Sequence, residues 1–153
     1  MASENTPPDG ILRLDRFWPY QVTVLADRIA RRTTKIVKEH GLNLSQWRVL
    51  AAIAERPGRT AVEVVTMTPM DKGIVSRATK ALLTMGFVVR QASQSDGRIS
   101  HLHLTDAGEA LYRTLIPQVT AIVERADGCL SSAEQVKLAE QLGELMGVIP
   151  DLR

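Results

Sequence analysis

Residues 60–98 read TAVEVVTMTPMDKGIVSRATKALLTMGFVVRQASQSDGR, and the fold is decided by the start and stop signals in this stretch. Thr60 with Glu63 three positions later forms a capping box for a short helix carrying Val62, Val65 and Met67. Thr68-Pro69-Met70-Asp71 repeats the start signal, with a cap, a proline at the first helical position and an acid in the first turn. Two starts eight residues apart leave room for one short helix, one turn and a second helix, which is helix-turn-helix spacing. The second helix is predicted over 69–85, closed by Gly86, with Ile74, Ala78, Ala81, Leu82 and Met85 on its apolar side. Its other side carries Lys72, Gly73, Ser76, Arg77, Lys80 and Thr84, with no acid among them. A helix that docks by one face and offers small, hydroxyl and basic groups on the other suits a major groove. Phe87-Val88-Val89 begins a strand, Ile99 to Leu104 is its partner, and the polar tip between them ends in Asp96-Gly97-Arg98.

Outward from this stretch the chain is helical. Pro19 opens a long helix ended by Gly41, with Val22, Leu25, Ala26, Ile29, Thr33, Ile36, Val37 and His40 at three- and four-residue steps. Ahead of it Ile11, Leu12, Leu14, Phe17 and Trp18 form an apolar arm or short helix expected to pack somewhere, after a frayed tail over 1–10. Asn43 with Gln46 caps the next helix, which turns Trp47, Leu50, Ala51 and Ala54 inward. Thr105 caps a long helix with Ala107, Leu111, Leu115, Val119, Ile122 and Ala126 on one face, and Pro117 predicts a kink or break near 114–116. Ser131 with Glu134 starts the last helix, bearing Val136, Leu138, Leu142, Leu145 and Met146. The fold class is therefore mainly α with a small β-hairpin: a winged helix-turn-helix inserted in a helical dimerisation domain. The first helix, about twenty residues long, has no partner inside so small a domain unless a distant segment or a second chain supplies one.

With 153 residues and 44% hydrophobic content the chain is long enough for one domain with a core. Aromatics are only 4%, so that core is aliphatic. No apolar run approaches the ~20 residues that cross a bilayer, and the N-terminus lacks the pattern of a signal peptide. A single cysteine, Cys129, excludes an internal disulfide and fits a reducing cytoplasm. Net charge is only +2, but residues 56–103 hold seven Lys/Arg against three acids, whereas the rest holds twelve against fourteen. A basic middle between near-neutral flanks points to a polyanion bound at the middle.

In this order the chain resembles the MarR family of transcriptional regulators from about residue 19 to residue 146. The resemblance is carried by Gly41-Leu42-Asn43-Leu44-Ser45-Gln46-Trp47, Pro57-Gly58-Arg59-Thr60-Ala61-Val62-Glu63 and Met70-Asp71-Lys72-Gly73-Ile74-Val75-Ser76-Arg77. Met85-Gly86-Phe87-Val88-Val89-Arg90, the wing Asp96-Gly97-Arg98 and Leu104-Thr105-Asp106-Ala107-Gly108 complete it. The resemblance implies one domain over 1–153, with an arm (1–18), dimerisation helices (19–41 and 105–149) and a DNA-binding region (43–104). It implies a homodimer whose recognition helices enter successive major grooves of double-stranded DNA. It also implies that Arg98 enters the minor groove while Asp96 orients the basic groups around it, and Ser76-Arg77 matches the family's recognition-helix pair. Gly73 departs from the family, where many members carry a longer side chain.

On physical grounds Arg77 and Lys80 reach base edges or phosphates, Lys72 neutralises phosphate, and Ser76 donates only if the helix lies deep. Thr84 and Arg90 are weaker candidates. By resemblance a small aromatic or phenolic acid releases the DNA, and Arg16, Trp18, Trp47 and Arg48 are the candidate ligand residues, with Tyr20 beside them. Trp47 also reads as core. His101-x-His103 lacks a third ligand nearby, so no metal is expected, and Cys129 is expected to be a small packed residue. No nucleophile set, phosphate loop or carboxylate pair stands out, so neither an enzyme nor a cofactor is expected. The leading expectation is a dimeric DNA-binding regulator, a cytoplasmic repressor. The alternative is a winged helix that meets an acidic protein partner and has no preference for duplex DNA.

Overall fold

The computed structural model describes residues 10–125 and 128–152. Its elements run α1 (Trp18–Glu39), α2 (Leu44–Glu55), α3 (Ala61–Met67), α4 (Lys72–Thr84), β1 (Val88–Ala92), β2 (Ser100–Leu104), α5 (Asp106–Glu124) and α6 (Ser132–Val148). Six helices and one antiparallel hairpin make a winged helix-turn-helix within longer helices, as the start signals predict. Ala126 of the expected α5 face lies outside the described residues.

Local chemistry sets most of the boundaries. The capping boxes at Asn43/Gln46, Thr60/Glu63 and Ser131/Glu134 are all formed, each side chain bonding the other residue's backbone N–H. Gly41 and Gly86 sit at φ +79° and +77°. They end α1 and α4 with paired bonds, Leu42 N–H to the Val37 carbonyl (3.0 Å) and Phe87 N–H to the Leu82 carbonyl (3.0 Å). Glycine reaches this left-handed region without a Cβ penalty, so it stops a helix and reverses the chain.

Four expectations need correction. First, α4 starts at Lys72, not Pro69: the Thr68 hydroxyl donates to the Val64 carbonyl (2.7 Å) at the end of α3, and Asp71 Oδ1 takes over as cap by accepting from Ile74 N–H (2.7 Å). Second, the buried residue of α3 is Val64, whereas Val62 and Met67 are exposed. Third, α5 runs as one helix through Pro117, so the break does not occur. Pro117 and Arg113 both lie on the solvent side, where the carbonyl left without its N–H donor is open to solvent rather than buried. Fourth, Trp18 is the first residue of α1 rather than part of a preceding arm, and Ile11, Leu12 and Leu14 are exposed rather than packed.

The core lies between α2, α4, the hairpin and the middle of α5. Val37, Val49, Leu50, Ile53, Val64, Val75, Leu82, Leu102 and Leu115 are its fully buried apolar members. α2 contributes a wider face than expected, adding Val49, Ala52 and Ile53 to Trp47 and Leu50. β1 and β2 pair from Val88↔Leu104 to Ala92↔Ser100. The segment before α3 extends this pairing, since Gly58 N–H donates to the Leu102 carbonyl and Leu102 N–H to the Arg59 carbonyl, both at 2.9 Å.

The hairpin is also tied to α5 by a close approach. Thr105 N–H donates to the Phe87 carbonyl (3.1 Å), its hydroxyl donates to the Gly86 carbonyl (2.6 Å), and Gly108 N–H donates to that hydroxyl (3.1 Å). A Cβ on Gly108 would stand 2.0 Å from the Phe87 oxygen, so only glycine lets the helix lie against the strand here.

Outside the core, α6 has no buried residue and α1 buries only Thr33 and Val37. Val22, Leu25 and Ile29 of α1 and Val136, Leu138, Leu142 and Met146 of α6 are exposed.

Candidate nucleic-acid interface

α4 is oriented by what it buries. Val75, Ala78, Thr79 and Leu82 face inward, and α4 packs on α2 and α3. Helical geometry then turns Lys72, Gly73, Ser76, Arg77, Lys80 and Thr84 outward, and all six are exposed. The predicted inward set was shifted by about one position: Val75 and Thr79 were missed, Ile74 and Ala81 are half-buried, and Met85 is exposed. The side chains of Lys72, Ser76, Arg77 and Lys80 have no hydrogen bond or ion pair among the described residues, so their donors are available to a ligand. Arg77 and Lys80 border a shallow groove of about 360 Å³ with Ala81, Thr84 and Met85.

The wing tip is held by its own backbone. Ser93 N–H donates to the Ile99 carbonyl (2.9 Å) and Ile99 N–H to the Asp96 carbonyl (3.0 Å). Asp96 Oδ1 accepts from Arg98 N–H at 3.0 Å. The carboxylate thus fixes the turn, and Arg98 is exposed on it. Arg90, in contrast, pairs across the hairpin with Leu102 and is exposed on β1.

The four expected ligand residues separate into two places. Trp47 (7% exposed) and Arg48 border a cleft of about 430 Å³ with Ala51, Glu55, Pro69 and Tyr112. The Trp47 and Tyr112 rings stack at 5.8 Å with planes 16° apart. Arg16 and Trp18 are exposed and do not border that cleft. Tyr20 borders a separate surface hollow with Leu14, Asp15 and Arg28. Tyr112 is the cleft residue that sequence reasoning missed. Its position next to Leu111 on the inward arc of α5 was the available signal.

His101 and His103 both turn toward the α2–α3 connection. His101 Nδ1 bonds the Gly58 carbonyl at 2.8 Å, and the His103 ring lies over Gly58. Among the described residues no cluster of three or more His, Cys, Asp or Glu is placed to hold a metal. Cys129, expected to be packed, is exposed in the turn before α6. The Glu63 carboxyl is held below the usual value by the Thr60 backbone N–H and hydroxyl, with Arg56 adding to the effect. The Glu134 carboxyl is lowered by the Ser131 hydroxyl and backbone N–H. No helix among the described residues is long and apolar enough to cross a membrane.

Comparison with known proteins gives a consistent picture. A model of the MarR family matches residues 40–99, the span from the end of α1 to the wing. The chain is 26% identical over 117 residues to the homoprotocatechuate degradative operon repressor of Escherichia coli, covering 74% of this chain and 76% of that protein. A MarR-family transcriptional regulator from Silicibacter pomeroyi superposes with a TM-score of 0.81 at 24% identity, over 90% of this chain and 93% of that one. A mutant MarR from Escherichia coli complexed with operator DNA superposes at 0.71 with 20% identity, over 84% and 92% respectively. These two superpositions establish the shared fold.

Proposed function

We propose, from the premise that this chain belongs to the MarR family of transcriptional regulators, that it is a homodimeric, sequence-specific DNA-binding repressor released by a small aromatic or phenolic acid. The observation that carries the DNA reading is the exposed face of α4, where Lys72, Ser76, Arg77 and Lys80 stand with unengaged side chains and Arg98 projects from the wing. In this reading residues 43–104 are the DNA-binding region. Lys72 neutralises phosphate, Arg77 and Lys80 reach base edges, and Ser76 adds a donor at the centre of the face. Arg98 enters the minor groove on a turn fixed by Asp96.

Residues 19–41 and 105–149 belong to the dimerisation helices, the first of which begins at Trp18, and residues 10–17 are an arm ahead of it. The support is the uncovered apolar surface of α1 and α6, which in water needs a partner. Their charges are complementary: α1 carries five cations against two acids, and α6 three acids against one lysine. Leu142→Lys is therefore expected to sediment as a monomer and to lose tight operator binding together. A dimeric Leu142→Lys would remove α6 from the interface.

The effector site is the Trp47–Tyr112 cleft, with Arg48 at its rim as the carboxylate partner. Arg16 and Trp18 join it only if contributed by the second copy. A relative named for repressing the homoprotocatechuate degradative operon fits an aromatic acid as the signal. The test of the whole reading is fluorescence anisotropy of the full chain against duplex from its own upstream region, titrated with benzoic and phenolic acids. Tight salt-sensitive binding, weakened by one of these acids in wild type but not in Arg48→Ala, supports it. No duplex preference at physiological salt overturns it in favour of an acidic protein partner. DNA binding that no such acid alters removes the effector from the reading.

A further inference from the structure

The first turn of α4 contains a gap at its solvent face. Gly73 stands one turn before Arg77 on that face, in a helix where every other exposed position carries a side chain. A Cβ placed there would lie 3.2 Å from Asp71 Oδ1 and 3.4 Å from Arg77 Nη1. The Arg77 side chain therefore reaches back along the helix to Gly73, and the Asp71 carboxylate borders the same gap. Asp71 Oδ1 is already engaged, accepting from Ile74 N–H at 2.7 Å to cap the helix. Arg77 and Asp71 form no ion pair, and the guanidinium has no other partner among the described residues.

Glycine is the poorest helix former after proline, so its presence inside α4 acts against the helix. The gap gives that position a use. We propose that Asp71, Gly73 and Arg77 form the base-reading notch of the recognition helix, in which the missing side chain at Gly73 seats the Arg77 guanidinium to read the O6/N7 edge of one guanine in each half-site. The inference rests on the DNA-binding reading above. Guanine is the base that offers two acceptors side by side on the major-groove edge, matching the paired N–H groups of arginine. The Asp71 carboxylate beside the gap attracts the guanidinium without pairing with it and disfavours a phosphate oxygen there, which keeps Arg77 over Gly73. Gly73 and Asp71 are positioning residues, and Arg77 is the residue that touches the base.

The test selects duplexes from a randomised library with the wild-type full chain, then measures anisotropy on the selected duplex carrying 7-deazaguanine at each guanine in turn. Removing N7 from the guanine read by Arg77 is expected to weaken wild-type binding about tenfold. Gly73→Ala is expected to fold with an unchanged or higher Tm, to keep its salt dependence and to lose most of that discrimination. Arg77→Lys, which keeps the charge and cannot present two parallel donors, is expected to lose it as well. Selection of a duplex on which Gly73→Ala and Arg77→Lys discriminate like wild type overturns the notch and leaves DNA binding standing. Failure of the wild-type chain to select any duplex overturns both.

Discussion

Gly108→Ala isolates the joint between wing and helix. In an ordinary helix this change stabilises by up to ~1 kcal/mol, because alanine loses less backbone freedom. Here the new methyl group would stand 2.0 Å from the Phe87 oxygen and 3.0 Å from its carbonyl carbon, well inside van der Waals contact. Relief needs a shift of more than an ångström by either the start of α5 or the chain leading into β1. Both are tied by the bonds from Thr105 to Phe87 and Gly86 and from Gly108 to Thr105. Losing two such bonds at about 1 kcal/mol each, with an overpacking cost of roughly 1–3 kcal/mol, exceeds the helix gain. The net expectation is a loss of about 2–4 kcal/mol, or roughly 4–16 °C in Tm for a chain of this size. Urea unfolding followed by far-UV circular dichroism at matched protein concentration measures it. A Gly108→Ala variant as stable as wild type, or more so, would refute the close approach and with it the placement of the wing against α5.

Further outcomes follow from other local features. Thr79 is fully buried and its hydroxyl has no partner among the described residues, so Thr79→Val should raise the urea midpoint by the equivalent of about 1 kcal/mol; a lower midpoint would mean that the hydroxyl is bonded after all. Lys72→Ala should bind all duplexes more weakly and lower the slope of log K against log salt by about 0.9, and an unchanged slope would remove Lys72 from the phosphate contacts. The Glu63 and Glu134 carboxyls lie below their ordinary value of 4.5, so both bind protons more readily in the unfolded chain. The stability they add is present above that value and is lost as pH falls through their lower folded values. Glu63→Gln should therefore flatten the acid limb of a stability–pH profile, and an acid limb identical to wild type would contradict the cause assigned to its shift.

What was legible in the sequence was local. A capping box closes within four residues, so Asn43/Gln46, Thr60/Glu63 and Ser131/Glu134 could be read directly, as could the glycine stops at Gly41 and Gly86. The exposed face of α4 was legible because thirteen residues give a clear period. α3, with seven, is too short to define one, and its inward residue was misread. The start of α4 was ambiguous because Thr68 and Asp71 are both able to cap, and only the pull of the Val64 carbonyl on Thr68 decides between them. Long-range facts left little local signal: the Trp47–Tyr112 stack joins residues 65 positions apart, and Gly108 owes its need for glycine to a carbonyl on another element. The apolar faces of α1 and α6 were legible as faces in want of cover, and the protomer leaves them so.

In the proposed function the α4 face and the wing of each protomer meet DNA as a symmetric pair. Hydroxyl-radical footprinting of the full chain on its own upstream duplex tests this most directly. The prediction is two protected patches about one helical turn, ~10 bp, apart on one face of the duplex, with flanking minor-groove protection that disappears in Arg98→Ala. A single protected patch, or none at concentrations where the chain is dimeric, would contradict it.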